Sequence, residues 1–434
     1  MKYLSDIRAA QRDPQQLELL YQAARQENAA AEFEADLLAC HAESPENVLY
    51  TAWFYRFQHR AQDETAERRN INWKLAIPLS LLTGLILWLL SDDRLKFSGP
   101  APQNTYFALL WAPIVGLIVI VFLTVTAKSN YQRALVLGTG LIGVSVYVML
   151  LAPNRPNYRE LMALHVPLIA LAGVGVSLLG LSSTPKSRFA FLTKCIEVIV
   201  TGGLYLIAVV IFSGITISLF QALGIRVPDA ITRLLMAGGI GLIPVAAAAT
   251  IYDPLVGPLD QDFKRGLGRL VATLPRLLLP LTVIVLVIYL IAIPFNFMAP
   301  FKNRDVLVIY NGMLFAVMGL LLGATPLQAD DLPPRYQTAL RSGIIALAIL
   351  VVVVSLYALS ATVYRTVLGG LTINRVTIIG WNSLNLSLLV LLIYKQFRHG
   401  AAAWIDSLHS VFSLGATGYV AWGLCLILAT PWLF

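Results

Sequence analysis

Charged residues are scarce in this sequence. Asp, Glu, Lys and Arg make up 13% of its 434 residues, whereas 57% are hydrophobic and the mean hydropathy is +0.71. A soluble domain of this length would carry more charge and fewer apolar residues. The 3 cysteines, Cys40, Cys195 and Cys425, lie far apart, which excludes a disulfide framework and a zinc site. The composition predicts a bilayer protein without a metal or another cofactor.

Catalytic signatures are also lacking. The sequence contains no G-x-S-x-G, no H-E-x-x-H, no Walker A motif and no G-x-G-x-x-G followed by an acidic residue. We therefore expect a protein that is not an enzyme. The formal charge of +8 could indicate nucleic-acid binding. We expect none, because basic residues that flank membrane spans explain the same charge.

Apolar segments long enough to cross about 30 Å of hydrocarbon recur from Trp73 to the end of the chain. We count 11. Their predicted cores are residues 73–90, 106–126, 134–151, 161–181, 196–219, 231–251, 277–295, 306–323, 342–363, 376–394 and 411–430. The expected fold is an all-α polytopic transmembrane bundle, in which the lipid bilayer is the principal partner.

Lysines and arginines near the span ends are unequally divided between the two sides. The side of the N-terminus has 18 of them and the opposite side has 10. Positive residues concentrate on the cytoplasmic side of a membrane protein. This bias predicts a cytoplasmic N-terminus and, with an odd number of spans, a C-terminus outside.

Residues 1–72 are polar enough to lie outside the membrane, and residues 73–434 form the predicted transmembrane domain. Asp13-Pro14 and Ser44-Pro45 are each typical of a helix start, with a capping side chain before a proline. An apolar stripe follows each start, so we predict a cytoplasmic amphipathic helical hairpin. Two helices bury little surface. We therefore expect the hairpin to pack against the membrane domain or against a protein partner. The aromatic run WFYRF, residues 53–57, favours a partner that docks through residues 1–72.

Glycines cluster in several spans, notably in LGTGLIGVSV, residues 137–146, and in MAGGIG, residues 236–241. Small residues let the backbones of neighbouring membrane helices approach closely. We interpret these clusters as helix-packing faces.

Ionisable residues inside membrane spans are the usual indication of function. Glu197 is the one carboxylate inside a predicted span, and Lys194 lies on the same helical face. We expect these two residues to form an interfacial ion pair that reaches the lipid headgroups. A proton or cation site is the alternative.

The segment LGGLTINRVTIIGWN, residues 368–382, contains the break between two predicted spans and the start of the second one. Thr372 suits the N-cap of the second span, and Arg375 then lies in its first turn, where the helix dipole disfavours a cation. Arg375 is expected to bind a carboxylate, a lipid phosphate or helix-end carbonyls. Asn382 and Asn385 bring carboxamides into the span and are predicted to face the bundle interior.

The span that begins at Pro280-Leu281 and the later Gly370-Leu371-Thr372-x-x-Arg375 resemble two helix starts of a bacterial inner-membrane protein family. This family is classed as a domain of unknown function. The resemblance covers roughly residues 270–395, and it implies residence in the bacterial plasma membrane and no particular reaction.

Two functions fit these features. The first is an accessory or scaffold component of a membrane complex, which uses residues 1–72 for docking. The alternative is a transporter or lipid-handling protein with a cavity near Arg375, Asn382 and Asn385. A polar cavity open to lipid or water and extending to Asn385 would favour the alternative.

Overall fold

The computed structural model describes residues 2–26, 29–67, 71–92, 105–152, 155–263 and 266–434. All regular secondary structure in these residues is helical, which confirms the predicted all-α class. The chain forms two compact units, Met1–Ile71 and Asn72–Phe434. The sequence had placed the boundary between residues 72 and 73.

The N-terminal unit contains four helices, so the predicted two-helix hairpin is wrong. They are α1 (Leu4–Ala9), α2 (Pro14–Gln26), α3 (Ala30–Glu43) and α4 (Val48–Glu67). Asp13 caps α2 as predicted, accepting hydrogen bonds from the N–H groups of Gln15 and Gln16, both at 3.0 Å. The sequence gives α3 no comparable start signal, because Ala29 precedes it without a side-chain cap. Asn47, rather than Ser44, caps α4 through the N–H of Leu49 at 2.9 Å.

An aromatic core holds this unit together. Tyr21, Phe33, Trp53 and Phe57 are buried, with ring centroids 5.2 to 6.5 Å apart. Edge-to-face and tilted pairs at such distances stabilise a core beyond simple area burial. Two aromatics of the WFYRF run therefore belong to the unit's own interior. Tyr55, in the same run, is 53% exposed.

The second unit contains 11 helices long and apolar enough to span a membrane, within the described residues, which agrees with the predicted number. Its helices are α5 (Trp73–Leu90), α6 (Thr105–Ala127), α7 (Tyr131–Leu151), α8 (Pro156–Leu179), α9 (Pro185–Ala222), α10 (Asp229–Arg233), α11 (Gly239–Ile251), α12 (Leu267–Ala292), α13 (Ala299–Lys302), α14 (Arg304–Ala324), α15 (Pro334–Gly369), α16 (Ile373–His399) and α17 (Trp404–Leu433). A π-helical segment, Leu234–Gly238, joins α10 to α11, so that these two helices form one span. The 4 residues of α13 are too few to form a span, which leaves the 11.

The glycines of the MAGGIG cluster make the predicted close helix contact. A Cβ atom on Gly241 would lie 2.7 Å from the Cα atom of Gly84 in α5. The backbones of α5 and α11 can meet only because these positions have no side chain. The prediction is wrong for Gly140 and Gly143 of α7, since a Cβ atom on either glycine would meet nothing within 4 Å.

The membrane helices pack in two groups. Helices α5, α6, α7, α8 and α11 contact one another, and α12, α14, α15 and α16 form a second group. Helices α9 and α17 contact members of both groups. Helices α8 and α16 thus face each other where the groups meet, with few direct contacts between them. This arrangement leaves space between α8 and α16.

Candidate functional site

A cleft of about 550 Å³ lies between the first halves of α8 and α16. We call it the α8–α16 cleft. The side chains that line it follow helical spacing on each helix, which places them on one face. They are Glu160, Leu161, Leu164, His165 and Leu168 of α8, Asn374, Thr377, Ile378 and Trp381 of α16, Phe315 of α14 and Tyr419 of α17.

His165 and Trp381 connect the two walls of the cleft. The indole N–H of Trp381 donates to Nε2 of His165 at 3.0 Å, and Nδ1 of His165 lies 2.7 Å from the carbonyl of Leu161. An indole nitrogen can only donate. Nε2 therefore accepts, and Nδ1 carries the proton and donates to Leu161. These two bonds hold His165, which is 4% exposed, as one neutral tautomer in a fixed orientation.

Aromatic rings form the deep wall of the cleft. Trp381 contacts Phe315 and Tyr419 edge-to-face, with centroids 5.6 and 5.2 Å away. The hydroxyl of Tyr419 donates to Oδ1 of Asn385. Asn385 is fully buried, and its Nδ2 has no hydrogen-bond partner among the described residues. The cleft therefore extends to Tyr419, and Tyr419 connects it to a buried carboxamide.

Asn382 lies apart from the cleft. It is buried and faces α14 and α15, where it lines a cavity of about 10 Å³ with Asn311 and Ser355. This volume is close to that of a single water molecule. Both carboxamides thus lie inside the bundle, but only Asn385 is connected to the cleft.

Thr372 caps α16 as the sequence predicts, accepting a hydrogen bond from the N–H of Arg375 at 3.4 Å. The guanidinium of Arg375 donates back to the carbonyl of Gly370 at 2.5 Å. In the part of the chain that the structure describes, its hydrogen-bond acceptor is thus a carbonyl at the end of α15. Arg375 is half-buried and lies beside Asn374, whose side chain lines the cleft.

Glu197 forms the predicted ion pair with Lys194, with Nζ and Oε2 2.7 Å apart. The expectation that this pair reaches the headgroups is wrong, because the two side chains are only 2% and 4% exposed. The segment after Tyr252 covers the pair. Nζ of Lys194 also donates to the carbonyl of Asp262 and lies 4.6 Å from the ring centroid of Phe263. Glu197 does not line the α8–α16 cleft.

The sequence did not identify the cleft itself. His165 is a lone histidine within its predicted span, and one histidine without nearby partners does not specify a site. The signal was present on α16, where Asn374, Thr377, Ile378 and Trp381 follow i, i+3, i+4 and i+7 spacing. Such a stripe does not reveal whether it faces another helix or a cleft. Among the described residues, no group of three His, Cys, Asp or Glu side chains could hold a metal ion.

No protein-family model matches this chain, and no curated protein or solved structure shows significant similarity to it.

Proposed function

We propose that this multi-pass membrane protein binds an amphiphilic molecule of the bilayer in the α8–α16 cleft. The observation that carries the proposal is the lining of the cleft, which combines polar side chains at the helix starts with apolar and aromatic side chains deeper in. Ligand sites commonly have this composition, with a few polar groups that fix the orientation of an apolar ligand. The proposal is a binding role, in handling or transport of the ligand, and includes no reaction.

The position of each group suggests how the ligand lies. Glu160 is exposed near the start of α8, and Asn374 lies in the first turn of α16, so these two groups would contact a polar headgroup. Leu164, Leu168 and Ile378 would contact an apolar chain. Because Glu160 accepts hydrogen bonds, the proposed headgroup carries hydroxyl or amine donors.

A matched pair of variants tests this site. Leu164 in the cleft and Leu150 on α7 are both 74% exposed, so tryptophan should be equally tolerated at either position. The purified protein in nanodiscs would be irradiated with a phospholipid that carries a diazirine in its acyl chain. Leu164→Trp should remove the adduct on α8 and α16, whereas Leu150→Trp should leave it unchanged. Equal adduct yields in both variants would refute the proposal.

We further propose a cytoplasmic N-terminus and a C-terminus outside, in a bacterial plasma membrane. The 18 to 10 division of basic residues supports the orientation, and the resemblance on Gly370 to Arg375 supports the membrane. The predicted helix start at Pro280-Leu281 is wrong, because Pro280 lies inside α12, so this part of the resemblance adds no support. Ser129, just after the end of α6, and Gln221, in the last turn of α9, are both exposed, and the proposed orientation puts them on opposite sides of the membrane. In a background with Cys195→Ser and Cys425→Ser, Gln221→Cys should react with an impermeant maleimide in intact spheroplasts. Ser129→Cys should require permeabilisation, and the reverse pattern would overturn the orientation.

A scaffold role is the second candidate. Phe54 stacks on His41 with centroids 4.6 Å apart, and Tyr55 beside it is exposed, so the N-terminal unit presents an aromatic surface. A protein partner that docks there should dissociate on Tyr55→Glu. The Val48→Glu variant should still bind the partner, because Val48, which is 82% exposed, lies at the start of α4 and outside the aromatic surface. Equal recovery of the partner with both variants would argue against this surface.

A further inference from the structure

A second cavity, of about 310 Å³, lies between α6, α8, α9 and α11. We call it the α8–α9 cavity. Its lining is apolar except at one end, with side chains that include Val115, Val119, Ala170, Val174, Val198 and Ala248. It is separate from the α8–α16 cleft, because α8 presents residues 160–168 to the cleft and residues 167–178 to this cavity, on different faces.

Small residues create the space. A Cβ atom on Gly116 of α6 would lie 3.3 Å from the Cβ atom of Ala170, so α6 and α8 are in close contact at this level. Helices α8 and α9 are consecutive but hardly touch. On the opposite side of the cavity, Gly202 of α9 and Ala248 of α11 have side chains too small to fill it. The result is a cavity bounded by tight contacts on one side and open between α8 and α9.

The mouth of the cavity is surrounded by exposed apolar side chains. Leu171 of α8 is 40% exposed, and Ile199 of α9 is 63% exposed. Both lie within candidate membrane spans. The medium that reaches the mouth is therefore lipid hydrocarbon. Water gains no hydrogen bonds in an apolar cavity, whereas a hydrocarbon chain gains dispersion contacts along its length.

The polar end of the cavity is already neutralised. Nζ of Lys194 forms an ion pair with Glu197 at 2.7 Å and donates to the carbonyl of Asp262. A charged headgroup at this end would compete with these contacts. The chemistry of the cavity therefore favours a chain and disfavours a headgroup.

From these observations we infer that the α8–α9 cavity binds one acyl chain of a membrane phospholipid, which enters between α8 and α9 while its headgroup stays outside. This site is independent of the amphiphile proposed for the α8–α16 cleft. Recognition here depends on the chain alone.

Two neighbouring glycines of α9 supply a matched test. Gly202 lines the cavity, and a Cβ atom on it would lie 3.5 Å from the side chain of Ile243. A Cβ atom on Gly203 would have no neighbour within 4 Å. The full chain would be placed in phosphatidylcholine nanodiscs that contain a phosphatidylcholine with a diazirine near the end of one acyl chain. Adducts would be mapped by mass spectrometry after irradiation.

The parent protein and Gly203→Leu should give adducts on the cavity residues of α8 and α9. Gly202→Leu should lose these adducts while retaining those of the α8–α16 cleft. Replacing the probe with a phosphatidylglycerol of the same chains should leave the cavity adducts unchanged. Equal cavity adducts in the two leucine variants would overturn the inference, and so would a strong dependence on the headgroup.

The thiol of Cys195 provides a second measurement that needs no cavity-filling variant. Cys195 lines the cavity, and Cys40 is buried in the other unit. With Cys425→Ser, the rate of modification by N-phenylmaleimide should rise when bound lipid is stripped by detergent and fall again when phosphatidylcholine is added. A rate that is independent of lipid would overturn the inference even if Gly202→Leu failed to fold.

Discussion

Lys194 and Glu197 illustrate how the environment of a residue decides its contribution to stability. Two charges buried to 2% and 4% exposure lose their hydration, and their mutual attraction offsets this cost only while both are present. The same pair at the membrane surface would contribute little. The tertiary structure thus turns a weak surface interaction into one that depends strongly on both partners.

Glu197→Gln should therefore lower the free energy of unfolding in detergent by ~3 to 5 kcal/mol, because the ammonium of Lys194 would stay buried without its carboxylate. The double variant Lys194→Met and Glu197→Leu should recover most of the loss. Chemical denaturation of the two variants beside the parent checks both expectations. A single variant as stable as the parent would show that the pair contributes no net stability.

Glu18 in the N-terminal unit lies near the surface, and its ion pair with Arg56 makes the stability of the unit depend on pH. A hydrogen bond from Arg56, at 2.6 Å, lowers the pKa of this carboxyl below its ordinary value. A lowered pKa in the folded state means that the unfolded state binds more protons. The contribution of this pair is therefore present above the unfolded pKa and is lost as the pH falls through the folded pKa.

An NMR titration of the Glu18 side chain checks this prediction. The Arg56→Ala variant should shift the pKa upward toward 4.5. Arg8→Ala is the control, because Arg8 pairs with Glu43 at 2.6 Å and should leave the titration of Glu18 unaltered. A titration midpoint that does not respond to Arg56→Ala would contradict the assigned cause.

At the scale of elements, Arg375 connects two consecutive membrane helices. Its side chain bonds the Gly370 carbonyl that ends α15, and its backbone N–H is capped by Thr372 at the start of α16. Arg375→Ala should cost ~0.5 to 1.5 kcal/mol, the usual net value of one hydrogen bond. Arg375→Lys should recover part of it, because lysine keeps one donor but not the planar fork. Thermal unfolding in detergent checks this, with Arg226→Ala in an exposed loop as the control.

Helices α5 and α11 depend on a glycine contact. Gly241→Ala should destabilise the protein by ~1 to 3 kcal/mol, because the new methyl group would lie 2.7 Å from the backbone of Gly84 and force the helices apart. Gly140→Ala is the matched control, since a Cβ atom there meets nothing within 4 Å. Equal melting temperatures of the two variants would contradict the close contact.

The glycines of the two clusters look alike in the sequence, yet they differ in what they meet. Gly138 of α7 and Gly241 of α11 pack against neighbouring helices, whereas a Cβ atom on Gly140 or Gly143 would meet nothing within 4 Å. Both runs have small residues at suitable spacing, and spacing determines which residues share a face of a helix. It does not determine what that face meets. The same limit explains the N-terminal region, where Asp13-Pro14 correctly marked a helix start but α3 lacks a capping side chain and was missed.

At the scale of the whole molecule, the N-terminal unit has its own core, so residues 1–71 should fold by themselves. The isolated segment should be helical and unfold in one cooperative step. Phe33→Ala should unfold it at 25 °C, because loss of a buried phenylalanine costs ~3 to 5 kcal/mol, close to the whole stability of so small a domain. Leu19→Ala, at a 58% exposed position, should change little. Circular dichroism melting checks both variants, and an unfolded parent segment would contradict the prediction.

The sequence by itself determined the features that depend on local composition and periodicity. The length and apolar character of each span follow from the absence of water in the bilayer core, so 11 spans and an all-α fold could be counted directly. The N-cap at Thr372 and the interior positions of Asn382 and Asn385 follow from the hydrogen-bonding needs of single side chains.

Only the tertiary structure decided which faces meet. His165 and Trp381 are 216 residues apart in the chain and share a hydrogen bond across the α8–α16 cleft. Lys194 and Glu197 are buried because a segment from another part of the chain covers them. Cavities arise where helices fail to touch, and this depends on the shapes of all neighbouring helices at once. The periodicity of one helix therefore cannot predict how far that helix lies from its neighbours.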